Sequence, residues 1–457
     1  MAGTLSILAS VSLLLCLMLP SFYETGQPKG WDTPRYYYYV RYVNESGSFP
    51  ETDRPLVVLL LLALHKVFSL FNKSVMAFLL FCQLFFMTLY MISVFKFSLS
   101  LTGDIYVASL STILTPLFPT TLRSQGLLSA LLSQSLILLS ISYFSDFIAR
   151  RDKKRLLTAT CLFALSATAN AWLTLYFIGI SGLAFVIVMA FFPSYRPKSI
   201  RLDKRYLGLL ALLLCLGIII PIVLRPYLLL DIINILKLSF NPLEAVKQNW
   251  CVLWELFGGV GLILGAMGMP LISRYVKAKL LEIFMWSWIG LSLVLSIFIM
   301  TLAFYRPFIT IPFYFTGAIF LRSFITGQIE FLSPGRLGSH GKISWPAPLS
   351  AVVACVIVGA LFLQAVEWQE MYMGPYLRQE DLEDLLWLRD HITGKAVICI
   401  TRVERDQIFW CKALLESRKK EIYLFYGNLT ELLSGQVKVS PGYTDYYFVN
   451  KALLEDR

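Results

Sequence analysis

"GWDTPRYYYYVRYV", residues Gly30–Val43, follows the first strongly apolar segment of the chain and decides how the rest is read. Four consecutive tyrosines, two arginines and one aspartate share fourteen residues. Pro34 suits a first helical turn, with Asp32 or Thr33 as its cap. A helix over Arg35–Val43 would set tyrosines and arginines in the lipid headgroup layer, where amphipathic rings and cations are favoured. That accounts for the tyrosines without chemistry. Asp32 keeps two readings, a cap on an interfacial helix or a general base facing a cavity at the membrane edge.

Composition points to a membrane. Of 457 residues, 57% are hydrophobic and 15% charged, against about 25% charged in soluble domains. Apolar segments recur along most of the chain, so it reads as an α-helical polytopic membrane protein. Residues 4–23 lack a preceding Lys or Arg and a small-x-small site, and read as an uncleaved span. Further spans are expected at 74–96, 104–121, 127–148, 156–174, 177–193, 206–224, 251–272, 281–304, 307–321 and 346–366, about eleven in all. The short run 56–64 ends in His65 and Lys66 and reads as a helix lying in the outer interface.

Charge orders these spans. Residues 1–366 hold 28 Lys/Arg against 14 Asp/Glu, and residues 367–457 hold 12 against 15. The basic residues crowd into loops 149–155, 194–205, 273–282 and 322–345, which share one side when the N-terminus is cytoplasmic, where Lys and Arg concentrate. The basic excess therefore reports topology, and nucleic acid is not an expected partner. Residues 24–73 become a large first outer loop, 225–250 a second, and the tail 367–457 also lies outside. Sequons at Asn44, Asn72 and Asn428 all fall on that outer side.

The tail reads as a small extracytoplasmic α/β domain beyond a transmembrane domain of residues 1–366. "EDLEDLLWLRDHI" has helical spacing, "KAVICIT" and "EIYLFY" read as strands, and "ERDQIFWCKALLESRKK" reads as the crossover helix of a βαβ unit. No Gly-rich phosphate loop or Walker motif accompanies them. The eight cysteines lack metal-ligand spacing, and the three histidines are scattered.

The first outer loop, "GWDTPRYYYYVRYVNESGSFPETDRPL", resembles that of the GT-C glycosyltransferases, membrane enzymes that use polyprenyl-phosphate sugars and include protein mannosyltransferases and oligosaccharyltransferases. The shared pattern is a first span, an acid in a Gly-x-Asp context, a Tyr-rich amphipathic helix, a Gly/Pro turn and a second interfacial helix. Looser likeness continues through "LSTILTPLFPTTLRSQGLLSALLSQSLILLSI", "YRPFITIPFYFTGAIF" and "LLWLRDHITG".

The resemblance implies sugar transfer from a polyprenyl-phosphate (dolichyl-phosphate type) donor to a glycan, lipid or protein acceptor, among membrane lipids. It implies Asp32 as general base and Arg306 as a phosphate contact, against the plainer reading of a snorkelling arginine. Metal-dependent members often carry acids in the second short outer loop. Here that loop reads "TTLRSQGLL", so no cofactor is assigned and a divalent metal loses its expected ligands. Arg123 becomes a second phosphate contact and Gln125 a sugar contact, or both sit in a solvated turn. Asp53 reads as a substrate contact or a helix cap. Glu255, about a turn inside its span, reads as a cavity acid. Tyr36 belongs to a run whose cavity-facing members would stack on sugar. A transporter or lipid-glycan flippase is the competing reading, and a receptor or assembly factor a third. Transporters favour duplicated halves, and no internal repeat is evident.

Overall fold

The computed structural model describes residues 2–25, 32–50, 52, 54–72, 74–123, 127–150, 152–191, 219, 258–298, 310–326, 329–331, 341–343, 347–372, 379–391, 396–400, 410, 414–415, 422–426 and 444–448. Expected span 206–224, outer loop 225–250, basic loop 194–205 and most of the tail's crossover helix lie outside them.

The described chain is predominantly α-helical. The elements run α1 (Ala2–Thr25), α2 (Thr33–Ser46), α3 (Pro55–Phe68), α4 (Val75–Thr102), α5 (Ile105–Leu114), α6 (Pro119–Arg123), α7 (Leu128–Arg150), α8 (Lys153–Ala169) and α9 (Ala171–Phe191). They continue with α10 (Gly259–Gly268), α11 (Ile272–Tyr275), α12 (Lys279–Phe298), α13 (Ile311–Ile325), α14 (Ala347–Tyr372) and α15 (Gln379–His391). Among the described residues, four stretches are long and apolar enough to cross a membrane: Gly3–Pro20, Met76–Thr102, Leu128–Arg150 and Leu349–Trp368. α3 has 14 residues, about 21 Å at 1.5 Å per residue. That is short of a hydrocarbon core of about 30 Å.

The chain folds into two compact units. The first comprises Met1–Leu19, Asp53–Val57 and Leu84–Tyr372. At one end of its bundle, polar groups staple loops that are far apart in sequence. Asp104 caps α5 by accepting from the Tyr106 and Val107 amides at 2.7 and 3.3 Å, and its other oxygen takes Arg322 Nε at 3.1 Å. The Arg322 guanidinium also lies over the Tyr106 ring, 4.4 Å from its centre. The Lys277 amide donates to the Leu101 carbonyl at 3.0 Å, and Ser323 Oγ to Tyr275 at 2.9 Å. Asp146 pairs with Lys96 at 3.5 Å and with Arg155. At the opposite ends of α5–α6 and α13, Thr120 Oγ1 and Thr310 Oγ1 are 2.7 Å apart and buried.

Glycines bring α10 against α13. A Cβ on Gly265 would lie 2.9 Å from Phe313 Cδ1, and one on Gly268 would overlap the Thr316 carbonyl. Thr316 Oγ1 donates to the Gly265 carbonyl at 2.9 Å. Between α7 and the α8–α9 turn, Ser133 Oγ donates to the Ser166 carbonyl at 3.2 Å. Asn170 Nδ2 reaches Ser129 Oγ at 3.4 Å. Inside expected loop 322–345, strands β1 (Ile329–Phe331) and β2 (Gly341–Ile343) pair antiparallel.

The second unit comprises Pro20–Thr52, Val58–Gln83 and Met373–Arg457. It thus joins most of the first expected outer loop to the tail in one compact body. The tail strands β3 (Ala396–Ile400), β4 (Ile422–Tyr426) and β5 (Thr444–Phe448) form a parallel sheet in the order β4–β3–β5, with Ala396 opposite Ile422 and Thr444.

Candidate functional site

The site is built on α2. Fourteen residues of helix are marginal alone, so packing must hold it. Thr33, Pro34, Tyr36, Tyr37, Tyr39 and Val40 are buried and give the helix an inward face. At its far end Gly47 takes φ +67° and its amide bonds the Val43 carbonyl at 2.9 Å, a left-handed cap that suits glycine. At its near end Gln83 Nε2, buried on α4, donates to Thr33 Oγ1 at 3.1 Å. Arg35 Nε donates to the Tyr39 hydroxyl at 2.7 Å, turn to turn, and its guanidinium lies 5.6 Å from that ring's centre.

Asp32 occupies the N-cap position, half-buried. Its carbonyl accepts from the Tyr36 amide at 3.1 Å. Its carboxylate makes no capping bond to the first-turn amides, and its φ and ψ are −92° and −1°. Asp104 and Asp152, at the same position of α5 and α8, both cap. The side-chain cap, one of the two sequence readings of Asp32, is therefore not made.

Tyr36 is fully enclosed by protein, while Tyr38 and Tyr42 are half-exposed with ring centres 5.9 Å apart. A row of four tyrosines on a helix must point several ways: Tyr36, Tyr37 and Tyr39 are buried, and Tyr38 is the one left half-exposed. Arg123 is the last residue of α6. Gln125, Asp53, Glu255 and Arg306 lie outside the described residues. Asp32 and Arg123 belong to different units. The Thr120–Thr310 bond links the helix ending at Arg123 to the start of α13, four positions after Arg306 in sequence. Among the described residues no group of three His, Cys, Asp or Glu side chains could hold a metal ion.

Two contacts here escaped sequence reading. Gln83 is a polar residue inside an apolar span, a signal that membrane energetics makes visible. Arg41 Nη1 donates to the Leu414 carbonyl at 2.6 Å, across 373 positions, and nothing local announces it.

No protein-family model and no curated protein sequence matches the chain. Solved structures do. The archaeal oligosaccharyltransferase AglB from Archaeoglobus fulgidus, in complex with an inhibitory peptide and a dolichol-phosphate, superposes at TM-score 0.56 with 11% identity, covering 92% of this chain and 65% of that one. A second Archaeoglobus fulgidus oligosaccharyltransferase structure, a complex with Zn and sulfate, gives TM-score 0.58 and 14% identity over 91% and 61%. The chain thus spans less than two thirds of the length of either neighbour. At such identities the likeness speaks of fold alone: the chain shares the fold of these two Archaeoglobus fulgidus oligosaccharyltransferase structures.

Proposed function

We propose that the protein is an inverting membrane glycosyltransferase, with Asp32 as general base. It moves a sugar from a polyprenyl-phosphate donor to an acceptor on the extracytoplasmic face. The observation that carries this reading is the placement of Asp32. A half-buried acid opens an interfacial helix without capping it, on a fold shared with oligosaccharyltransferases. The dolichol-phosphate and peptide in the neighbour's complex support a polyprenyl-linked donor and a peptide or glycan acceptor.

In the transfer, the acceptor atom attacks the anomeric carbon, its proton passes to the Asp32 carboxylate, and the carbon–phosphate-oxygen bond breaks to release polyprenyl phosphate. Charge on the leaving phosphate is met by Arg306 and Arg123, whose guanidinium groups suit two oxygens at once. Gln125, Asp53 and Glu255 complete the proposed substrate contacts; Tyr36, fully enclosed by protein, is left to packing. The same reading keeps eleven spans, residues 1–366 as the membrane domain, and residues 367–457 as an outer domain, with the N-terminus cytoplasmic.

The test is reconstitution in lipid vesicles with a panel of polyprenyl-phosphate sugars of hexose and pentose type. Asp32→Asn lowers kcat about 10²–10⁴-fold, the usual worth of a positioned base. Transfer that survives this change removes Asp32 from the role. Sugar flux across the vesicle wall without transfer favours the transporter instead. A chelator arm, with metal added back, reads metal dependence directly.

A further inference from the structure

We propose that Arg41 is a positioning residue through which the C-terminal segment around Leu414 sets the pose of the helix that begins at Asp32; this rests on the reading of Asp32 as the base. Packing of the inward face holds this short helix, and two long-range polar anchors along it help to set its axis. The first anchor of α2 is the Gln83–Thr33 bond beside Asp32. The second is Arg41, eight residues and about 12 Å further along the helix.

Arg41 uses its guanidinium in two directions. Nε meets Glu45 Oε1 at 2.6 Å, one turn on, and Nη1 meets the Leu414 carbonyl at 2.6 Å. The Glu45 carboxylate orients the guanidinium, and the other edge reaches the tail. The arginine side chain is only 12% exposed, so this is a seated contact rather than a solvated pair. The segment it grips is itself seated, with Trp410, Leu414 and Leu415 almost wholly buried. Along α2, Asp32 and Arg41 are nine positions apart, half a turn around the helix axis. They flank opposite sides of the inward face, so a shift of the tail contact rolls the acid. A displacement of about 1 Å at a reacting group costs on the order of 10²-fold in rate.

Lysine separates the two jobs of the guanidinium. Arg41→Lys can keep a pair with Glu45 but cannot also hold the Leu414 carbonyl in the same fork geometry. The experiment compares wild type, Arg41→Lys, Arg41→Gln, Glu45→Gln and Asp32→Asn as full chains in vesicles. Readouts are kcat and donor KM, amide hydrogen exchange over 33–46, and thermal melting in detergent.

Arg41→Lys and Arg41→Gln are each expected to lower kcat about 10- to 100-fold, with donor KM within about twofold and faster exchange over 33–46. Glu45→Gln, which leaves the Leu414 contact in place, loses less. Arg41→Lys with wild-type kcat and exchange overturns the proposal, as does Glu45→Gln matching Arg41→Gln, because the helical ion pair alone would then explain the effect. Loss of melting cooperativity in both Arg41 variants also overturns it, since Arg41 would then hold the fold rather than the pose. Normal transfer by Asp32→Asn defeats the functional reading instead, whatever the Arg41 variants do, and the exchange measurement still reports whether Arg41 braces α2.

Discussion

At the scale of single residues, the informative contrast is among three aspartates at the same helical position. Asp104 and Asp152 spend carboxylate oxygens on first-turn amides, the ordinary use of that residue type. Asp32 does not, although it stands at the same position and a proline opens its helix. Sequence left the capping and chemical readings of Asp32 open because both use the same residue at the same place. Side-chain geometry shows that the first-turn cap is not made.

His65, near the end of α3, illustrates a residue whose environment sets its charge. Its ring meets Phe78 edge-on, 5.0 Å between centres, and burial lowers its pKa from the usual value. The folded state thus prefers neutral imidazole, while the unfolded chain takes a proton below its ordinary pKa of about 6.5. Protons bound by the unfolded state favour unfolding. Stability should therefore fall as pH drops through about 6.5 and level off below the folded pKa. Melting temperatures of wild type and His65→Gln across that window check this, and the wild type should show the steeper loss on acidification.

Between elements, small differences in side-chain size decide what can pack. The sequence "GGVGLILGAMG" offers glycines at several positions, and apolar content alone makes it another span. Its role is close approach, with α10 resting on α13 through Gly265 and Gly268. Gly268→Ala should destabilise the protein by about 1–3 kcal/mol or more, since the partner at the clash is backbone. Gly290→Ala, on α12 with nothing within 4 Å of the added Cβ, should be neutral or gain up to about 1 kcal/mol. Thermal unfolding of both variants in one detergent makes the comparison.

α3 shows the reverse case, where reading was direct. A run of apolar residues closed by His65 and Lys66 is too brief to cross, and the helix is correspondingly short. The surroundings of Arg123 and Arg306 are less legible in the sequence. The charge pattern of segments 123–126 and 299–309 names arginines, but not which helix ends they meet.

Taken whole, the molecule brings residues of three basic loops together with the turn before α5. The turn at Gly103–Asp104, the basic loops near Arg155 and Lys277, and Arg322 are joined at one end of the first unit by ion pairs and backbone bonds. Loops that touch lie on one side of a membrane, so an even number of crossings separates each from the next. Which side is cytoplasmic is an expectation from the Lys/Arg excess. In a cysteine-free background, Ser48→Cys should react with an impermeant thiol reagent added outside right-side-out vesicles, and Lys153→Cys only after permeabilisation. The opposite pattern inverts the topology.

Apolar content along the chain is enough to make this a membrane protein, to place its apolar stretches, and to single out the acid that follows the first of them. Transfer from water to lipid sums residue by residue along the chain, and that sum needs no fold. Tertiary structure alone decided that the Asp32 carboxylate leaves its helix uncapped. It also decided that Gln83 holds Thr33 across 50 positions, Thr120 meets Thr310 across 190, and Arg41 reaches Leu414 across 373. Such contacts depend on how distant segments close onto one another, and no local pattern of residues encodes the meeting point.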